Sequence, residues 1–151
     1  DTMPTTQSLL FILVSTAVLT GACEAETGDT ATIGPEGGVI TSADDRLTLE
    51  IPAGAVEDTL DVSITSRPDC DPGAFHCYEI DPSPTMLAVP ARVTYRLVPD
   101  EMRDAPFEDL AIHERMGDSW LPLSNREIDG DEVAVIGTTV FFGAYAIAAV
   151  N

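Results

Sequence analysis

Residues 46–56 read RLTLEIPAGAV, a stretch that combines a strand pattern with a strand terminator. Leu47, Leu49 and Ile51 alternate with polar or charged residues, so side chains of an extended chain would point in turn toward a core and toward solvent. Pro52 follows directly, and it cannot continue a sheet ladder because it has no backbone N–H. The stretch therefore predicts a half-buried antiparallel strand that ends at Ile51.

The same alternation of apolar and polar residues returns over residues 60–65, 91–97 and 110–115. Turn-forming Gly, Pro and Asp residues separate these segments at intervals of about ten residues, and no helical periodicity is sustained after Ile33. The pattern predicts an all-β domain, an antiparallel β-sandwich that occupies residues 33–151.

Two features refine the C-terminal part of this prediction. Asp129-Gly130 suits a type I′ turn, which needs positive φ at both central residues, and predicts a hairpin between Arg126–Ile128 and Glu132–Ile136. Thr138–Val150 is apolar on both faces, which predicts one interior strand.

The charge balance limits the possible partners. The chain has 151 residues, with 26 Asp and Glu against 7 basic residues, all of them Arg, and a formal net charge of −19. Nucleic acid is not expected as a partner, because phosphate binding needs clustered basic side chains. We interpret the acidity as a means of keeping an exported protein soluble.

The N-terminal segment resembles an export signal. Residues 9–19 are mostly apolar and lead into small residues before Cys23, which is the order of a secretory signal peptide. The uncharged run at residues 8–22 is 15 residues long, short of the about 18 needed to cross a bilayer as a helix. Residues 24–32, EAETGDTAT, are small, polar and acidic. They predict a flexible tether between a signal peptide at residues 1–22 and the folded domain.

Leu19-Thr20-Gly21-Ala22-Cys23 resembles the lipobox of bacterial lipoproteins. The resemblance implies that the Cys23 thiol carries a diacylglyceryl group, that the signal is cut before Cys23, and that the new amine is acylated. It also implies a lipid anchor at the periplasmic face or in the outer membrane, with ordinary secretion as the alternative.

The other two cysteines, Cys70 and Cys77, flank an Asp-Pro-Gly turn sequence that can bring their thiols together. In an oxidising compartment this arrangement predicts a disulfide. The alternative is a metal site of Cys70, His76 and Cys77. It is disfavoured because adjacent His and Cys side chains point apart in an extended chain and no second cluster supplies a fourth ligand.

GPEGGVITSADDRLTLEIPAGAV, residues 34–56, resembles the opening of the ZU-five domain, named from zonula occludens proteins and uncoordinated-five netrin receptors. The Gly37-Gly38 turn and the Ile-Pro-Ala-Gly-Ala segment at residues 51–55 carry the resemblance, which runs to about Leu97. Residues 120–147 resemble the C-terminal strands of bacterial surface domains of this kind. The resemblance implies a β-sandwich used for protein interaction, although ligand and partner do not transfer with a fold.

No catalytic motif is present in the sequence. The serines lack the context of a nucleophile elbow, and neither His76 nor His113 has an evident acid partner. His113 is predicted at the surface, and Trp120 is predicted in the core. Acidic pairs such as Asp44-Asp45 are interpreted as solvated turns, with calcium as the alternative, although the spacing of a calcium loop is missing. No cofactor and no metal site are expected.

Some ZU-five-containing proteins cut themselves at a His-Phe-Ser turn. When this chain is aligned on Phe142 and Tyr145-Ala146, Phe141 stands where the His would be and Gly143 where the Ser would be. The resemblance therefore implies no self-cleavage, because the reaction needs both a base and a nucleophile.

Together these features predict an exported, membrane-anchored bacterial lipoprotein that displays a non-catalytic β-sandwich interaction module at the cell envelope, with an envelope protein as partner. The alternatives are a calcium-dependent or carbohydrate-binding surface module and an envelope hydrolase. A His that converges with an acid and a nucleophile would favour the hydrolase.

Overall fold

The structure is a computed structural model that describes residues 30–67, 70, 73–103 and 105–150. The predicted signal peptide at residues 1–22, the predicted lipidation site Cys23 and residues 24–29 of the predicted tether lie outside the described residues. Among the described residues, no helix is long and apolar enough to cross a membrane.

The described chain forms strands joined by turns and two short 3-10 helices, Glu101–Arg103 and Phe107–Asp109. The strands are β1 Thr30–Ile33, β2 Gly38–Thr41, β3 Leu47–Ile51, β4 Leu60–Arg67, β5 His76–Asp81, β6 Thr85–Arg96, β7 Leu110–Met116, β8 Ser119–Pro122, β9 Ser124–Asp129, β10 Ala134–Phe142 and β11 Ala144–Ala149.

The strands form two antiparallel sheets packed face to face. The six-stranded sheet has the order β1-β4-β5-β11-β7-β8, and the five-stranded sheet has the order β2-β3-β6-β10-β9. Every neighbouring pair is antiparallel. The predicted all-β sandwich is therefore confirmed.

The core lies between the sheets and consists of the inward half of each alternating pattern. Leu47 and Leu49 face it from the five-stranded sheet, and Tyr78, Tyr145 and Ile147 face it from the six-stranded sheet, all at most 1% exposed. Burial of a large apolar side chain contributes about 1.5–3 kcal/mol, so this alternation is the main source of the stability of the sandwich.

The two motifs that carry the ZU-five resemblance are in contact with each other. Gly37 has a φ of 78°, and a Cβ at this position would lie 2.3 Å from the backbone oxygen of Ile51. The N–H of Gly54 donates to the carbonyl of Pro35 at 2.8 Å. Gly37 is needed because its turn packs directly on the backbone of the turn at Pro52.

Strand β1 spans Thr30–Ile33, so residues 30–32 belong to the sandwich and not to the predicted tether. β1 pairs with β4, and Ala31 and Ile33 point into the core. Residues 30–32 were predicted as tether because two apolar residues in a four-residue strand form too short a pattern to stand out from small polar neighbours.

The single interior strand predicted over Thr138–Val150 is wrong. The chain leaves the five-stranded sheet after Phe142 and enters the six-stranded sheet at Ala144, so Gly143 is the crossing point between sheets. Both β10 and β11 are interior strands of their sheets, and both are rich in apolar residues on either side of Gly143. The crossing therefore leaves no mark in the apolar pattern.

The hairpin around Asp129-Gly130 exists, but the predicted type I′ turn is wrong. Asp129 pairs with Ala134, which leaves a four-residue loop, and the residue with positive φ is Val133 rather than Gly130. The Asp129 carboxylate accepts from the N–H groups of Asp131 and Glu132 at 3.0 and 3.1 Å. These side-chain hydrogen bonds stabilise a longer turn than the dipeptide rule assumes.

Candidate functional site

A groove crosses the outer face of the six-stranded sheet. The strand register creates it, because Glu79 on β5 pairs with Ala144 on β11, and Arg115 on β7 pairs with Trp120 on β8. Residues paired across an antiparallel ladder project from the same face, so these four side chains lie on one surface. The groove has a volume of about 460 Å³.

Ala144 on the middle strand β11 lines this groove among longer side chains from the flanking strands. The middle strand β11 presents Ala144 and Ala146 outward, with Ala146 paired between Cys77 and His113. Longer side chains stand on the flanking strands, among them Arg67 on β4 and Trp120 on β8. The alternating alanines of β11 are the one sequence signal that could have indicated the groove.

The charged side chains that line the groove form few ion pairs and hydrogen bonds with the other described residues. Arg67 forms an ion pair with Glu79 at 2.8 Å, and both side chains are about one third to one half exposed. Arg115 donates from Nε to the carbonyl of Gly117 at 3.1 Å. Within the described part of the chain, no carboxylate lies within ion-pair distance of Arg115, although Asp118 lines the same groove. The guanidinium of Arg115 is exposed and can accept a ligand.

A second depression of about 410 Å³ extends the groove toward the crossing at Gly143. It shares Glu79, Arg115 and Ala144 with the groove, and Phe141 and Pro84 are also among the residues that line it. The two depressions together, called the outer groove below, run across most of the sheet and are open at its surface.

The prediction for Trp120 is wrong. Trp120 is half-buried in β8, the edge strand of its sheet, and it faces outward beside Arg115 rather than into the core. Leu123, just after β8, is the residue that enters the core instead. An aromatic residue in a short strand gives no indication of which face it occupies unless the pairing partner is known.

The prediction for His113 is also wrong. Its side chain points outward as the alternation requires, yet it is only 9% exposed. It lies in the ladder row between Ala146 and Pro122, and its Nδ1 is 3.2 Å from the carbonyl of Ala111. β7 has neighbours on both sides, so an outward side chain on this strand can still be covered.

A second set of polar side chains meets at one end of the sandwich, called the closed cluster below. Its members come from different strands and loops, and they are Asp44, Arg46, Ser66, His76, Tyr78, Tyr95 and Glu101. The sequence predictions missed this convergence, because Asp44 was interpreted as part of a solvated turn and His76 as lacking an acid partner.

In one half of the closed cluster, His76 meets a serine and a carboxylate. Its Nε2 lies 2.7 Å from Ser66 Oγ and 3.6 Å from Asp44 Oδ2, while its Nδ1 lies 3.4 Å from the Tyr78 hydroxyl. The imidazole also stacks on the Tyr78 ring, with centroids 4.4 Å apart. Serine hydrolases use the same three residue types, so the geometry of these side chains decides whether they form a catalytic triad.

The geometry is not that of a catalytic triad. In a triad the nucleophile contacts one ring nitrogen and the carboxylate holds the other, whereas here Ser66 and Asp44 both face Nε2. The Asp44 carboxylate is occupied by other donors, the hydroxyls of Ser42 at 2.5 Å and Tyr78 at 2.8 Å. The carboxylate therefore does not orient the imidazole for general-base work.

Burial and neighbouring charges determine the protonation states in this half of the cluster. Partial burial lowers the pKa of His76, and the positive charge of Arg46 adds to this, outweighing the opposite effect of Asp44 and Glu101. Burial by itself raises the pKa of Asp44, but hydrogen bonds from Ser42, Tyr78 and the Arg46 backbone bring it below its ordinary value. The contact between His76 and Asp44 is thus a neutral imidazole beside a carboxylate at pH 7.

In the other half of the closed cluster, Arg46 is held from three sides. It forms an ion pair with Glu101, donates to the Tyr95 hydroxyl at 2.5 Å, and donates from Nε to the carbonyl of Arg96 at 3.1 Å. Its guanidinium carbon also lies 4.9 Å from the centroid of the Tyr95 ring. The Arg46 and Glu101 side chains are only 18% and 14% exposed, so this ion pair is largely shielded from water.

The cysteine prediction is confirmed where the structure describes it. Cys70 and Cys77 form a disulfide with a Cα–Cα distance of 5.9 Å, and both residues line the outer groove. The alternative metal site of Cys70, His76 and Cys77 is excluded by this bond, because both thiols are consumed. In the described residues, no three His, Cys, Asp or Glu side chains are grouped so that they could hold a metal ion.

The structure defines the chain as an antiparallel β-sandwich domain with an open, polar groove on the outer face of one sheet. No protein-family model matches the sequence, and no curated protein matches it.

Proposed function

We propose that this protein is an exported bacterial lipoprotein, anchored through lipid on Cys23, that displays a non-catalytic β-sandwich interaction module of the ZU-five-like kind at the cell envelope. An envelope protein is its predicted partner, and it needs no cofactor. The observation that carries the proposal is the disulfide between Cys70 and Cys77, because such bonds persist in oxidising compartments outside the cytoplasm.

Two further observations support an interaction module. The outer groove offers a wide surface with exposed charged groups and an aromatic side chain, which is typical of binding rather than of an enclosed reaction site. The combination of His76, Ser66 and Asp44 has both partners on one ring nitrogen, which argues against the envelope hydrolase.

Membrane fractionation tests the anchor. Mature protein should begin at Cys23 and sediment with membranes, because buried acyl chains contribute about 0.8 kcal/mol per CH₂ and more than one chain makes attachment stable. Cys23→Ala should move the protein to the soluble fraction. Cys23→Ser should do the same, because lipidation requires the thiol and a hydroxyl does not replace it. An unmodified Cys23 in mass spectra of wild-type protein would refute the anchor.

Two assays test the absence of catalysis. The purified protein should stay a single band on a denaturing gel after prolonged incubation, because Gly143 has no hydroxyl and Phe141 cannot accept a proton. It should also fail to hydrolyse activated esters above the rate of Ser66→Ala. A split near Phe142, or esterase activity that Ser66→Ala removes, would show that the protein is an enzyme.

A further inference from the structure

The outer groove places hydrogen-bond donors and acceptors side by side. Arg67 and Arg115 carry only donors, and the carboxylates of Glu79 and Asp118 carry only acceptors. A ligand that uses all four groups must itself both donate and accept. Hydroxyl groups do both, whereas a carboxylate ligand would meet the unfavourable charges of Glu79 and Asp118.

The position of the groove on a sheet face limits how a ligand can bind. Backbone N–H and C=O groups of β5, β11 and β7 are engaged in the ladders on both sides of each strand. An extended peptide gains affinity on a sheet chiefly by hydrogen bonding to a free edge, which a face does not offer. Recognition in the groove therefore depends on side chains.

The overall charge of the protein favours an uncharged ligand. Among the residues that the structure describes, two arginines and two carboxylates line the groove and their charges balance, whereas the chain as a whole carries −19. A negative field of this size repels polyanions at a distance, and it has no such effect on a neutral molecule.

Trp120 adds a flat aromatic surface beside Arg115. Indole rings pack well against apolar C–H surfaces and can donate one hydrogen bond from Nε1. A pyranose whose hydroxyls are all equatorial has such C–H surfaces on both faces of its ring and hydroxyls around its rim. The aromatic side chain and the surrounding polar groups thus match the two kinds of surface on one sugar.

We propose that the outer groove is a binding site for a neutral β-linked glycan with equatorial hydroxyls, with one sugar packed on Trp120 and its hydroxyls bonded to Arg115, Asp118 and Glu79. The continuation of the groove past Glu79 toward Phe141 accommodates further sugars of the same chain. This site lies in the outer groove that supports the interaction module proposed above, so the inference rests on that function and assigns a ligand class to its surface.

Fluorescence titration of the full chain tests the site directly, because Trp120 is the single tryptophan in the sequence. Cellohexaose or N-acetylchitohexaose should change the emission of Trp120 and protect it from iodide quenching. No comparable effect is expected from three control compounds. Maltohexaose has axial linkages, hexagalacturonate is charged, and the third is a neutral hexapeptide of Ser and Thr.

Variants locate the site. Trp120→Ala and Arg115→Gln should each weaken binding about tenfold, which corresponds to the loss of one aromatic or charge-assisted contact. Binding to Trp120→Ala is measured by calorimetry, because this variant lacks the fluorescent side chain. Arg96→Gln is the matched control, because Arg96 is an exposed arginine on the five-stranded sheet and should leave binding unchanged. Thermal unfolding of each variant establishes that the fold is retained.

Several outcomes would overturn the proposal. They are no binding of either β-linked hexaose, stronger binding of hexagalacturonate or of the peptide, and equal binding of maltohexaose. A loss of binding in Arg96→Gln as large as in Arg115→Gln would place the site elsewhere. None of these results bears on membrane fractionation, so the anchor and the glycan site can fail separately.

Discussion

The closed cluster and the outer groove use the same kinds of side chain in opposite ways. In the closed cluster, Arg46 has its donors directed at Glu101, Tyr95 and a backbone carbonyl, and little of it reaches water. In the outer groove, Arg115 contacts one backbone carbonyl and is otherwise exposed. The closed cluster joins strands and loops of the sandwich, whereas the groove leaves charge available for a ligand.

The comparison shows that residue type does not reveal function. A histidine, a serine and an aspartate converge in the closed cluster without the geometry of catalysis, and they act there as structural hydrogen-bond partners. In the described residues, every buried side-chain nitrogen and oxygen has a hydrogen-bond partner. Such a satisfied network rigidifies a fold, and its removal is costly.

The largest expected effect comes from breaking the ion pair of the closed cluster. Arg46→Ala should lower the free energy of unfolding by about 2–4 kcal/mol, because it removes the opposite charge from the shielded Glu101 carboxylate and leaves it only the Tyr95 hydroxyl and the Val98 N–H as donors. Chemical denaturation measures the loss. Arg96→Ala, which removes an exposed ion pair with Glu132, should cost at most about 1 kcal/mol. Equal losses of unfolding free energy in the two variants would mean that the shielded ion pair of the closed cluster contributes no more than an exposed one.

The disulfide is expected to matter somewhat less. The double variant Cys70→Ser/Cys77→Ser should still fold and should lose about 2–2.5 kcal/mol, because cross-linking so short a loop removes little entropy from the unfolded chain. Denaturation curves measured with and without reductant check this value. Two thiols that react in the folded, non-reduced wild-type protein would contradict the pairing.

The pH dependence of stability isolates His76. Because its pKa is lower in the folded state, the unfolded chain binds more protons between that pKa and the ordinary value of about 6.5. Stability should therefore be fully present above pH 6.5 and should fall as pH drops through the lowered pKa. Asp44 acts in the same direction only at pH values below its ordinary pKa of 3.8.

His76→Gln provides the control for this pH effect. It should flatten the slope of unfolding free energy against pH between about 5 and 7, even if its stability at pH 7 is lower through lost stacking on Tyr78. An unchanged slope in His76→Gln would mean that another group titrates in this interval.

The smallest effect on stability is expected in the outer groove. Arg115→Gln should change the free energy of unfolding by no more than about 0.5 kcal/mol, because Arg115 is exposed and forms no ion pair with any described residue. A loss comparable to that of Arg46→Ala would mean that Arg115 is structural, and the contrast between the two regions would not hold.

Local patterns in the sequence predict the fold class and the elements that depend on neighbours along the chain. Alternation at Leu47, Leu49 and Ile51 and the proline stop at residue 52 are local patterns, and the structure confirms both of them, together with the disulfide predicted between Cys70 and Cys77. They are readable because the period of a strand and the geometry of a turn are set within a few residues.

Only the tertiary structure decided which of these elements share a surface. Asp44 and His76 lie more than 30 positions apart in the sequence, and Trp120 meets Cys77 and Arg67 in one groove only because β11 is inserted between β5 and β7. Alternation assigns a residue to one of two faces, but not to a neighbouring strand or a sheet. Strand order is set by packing of the whole core, so the closed cluster and the outer groove arise from long-range pairing that no local pattern contains.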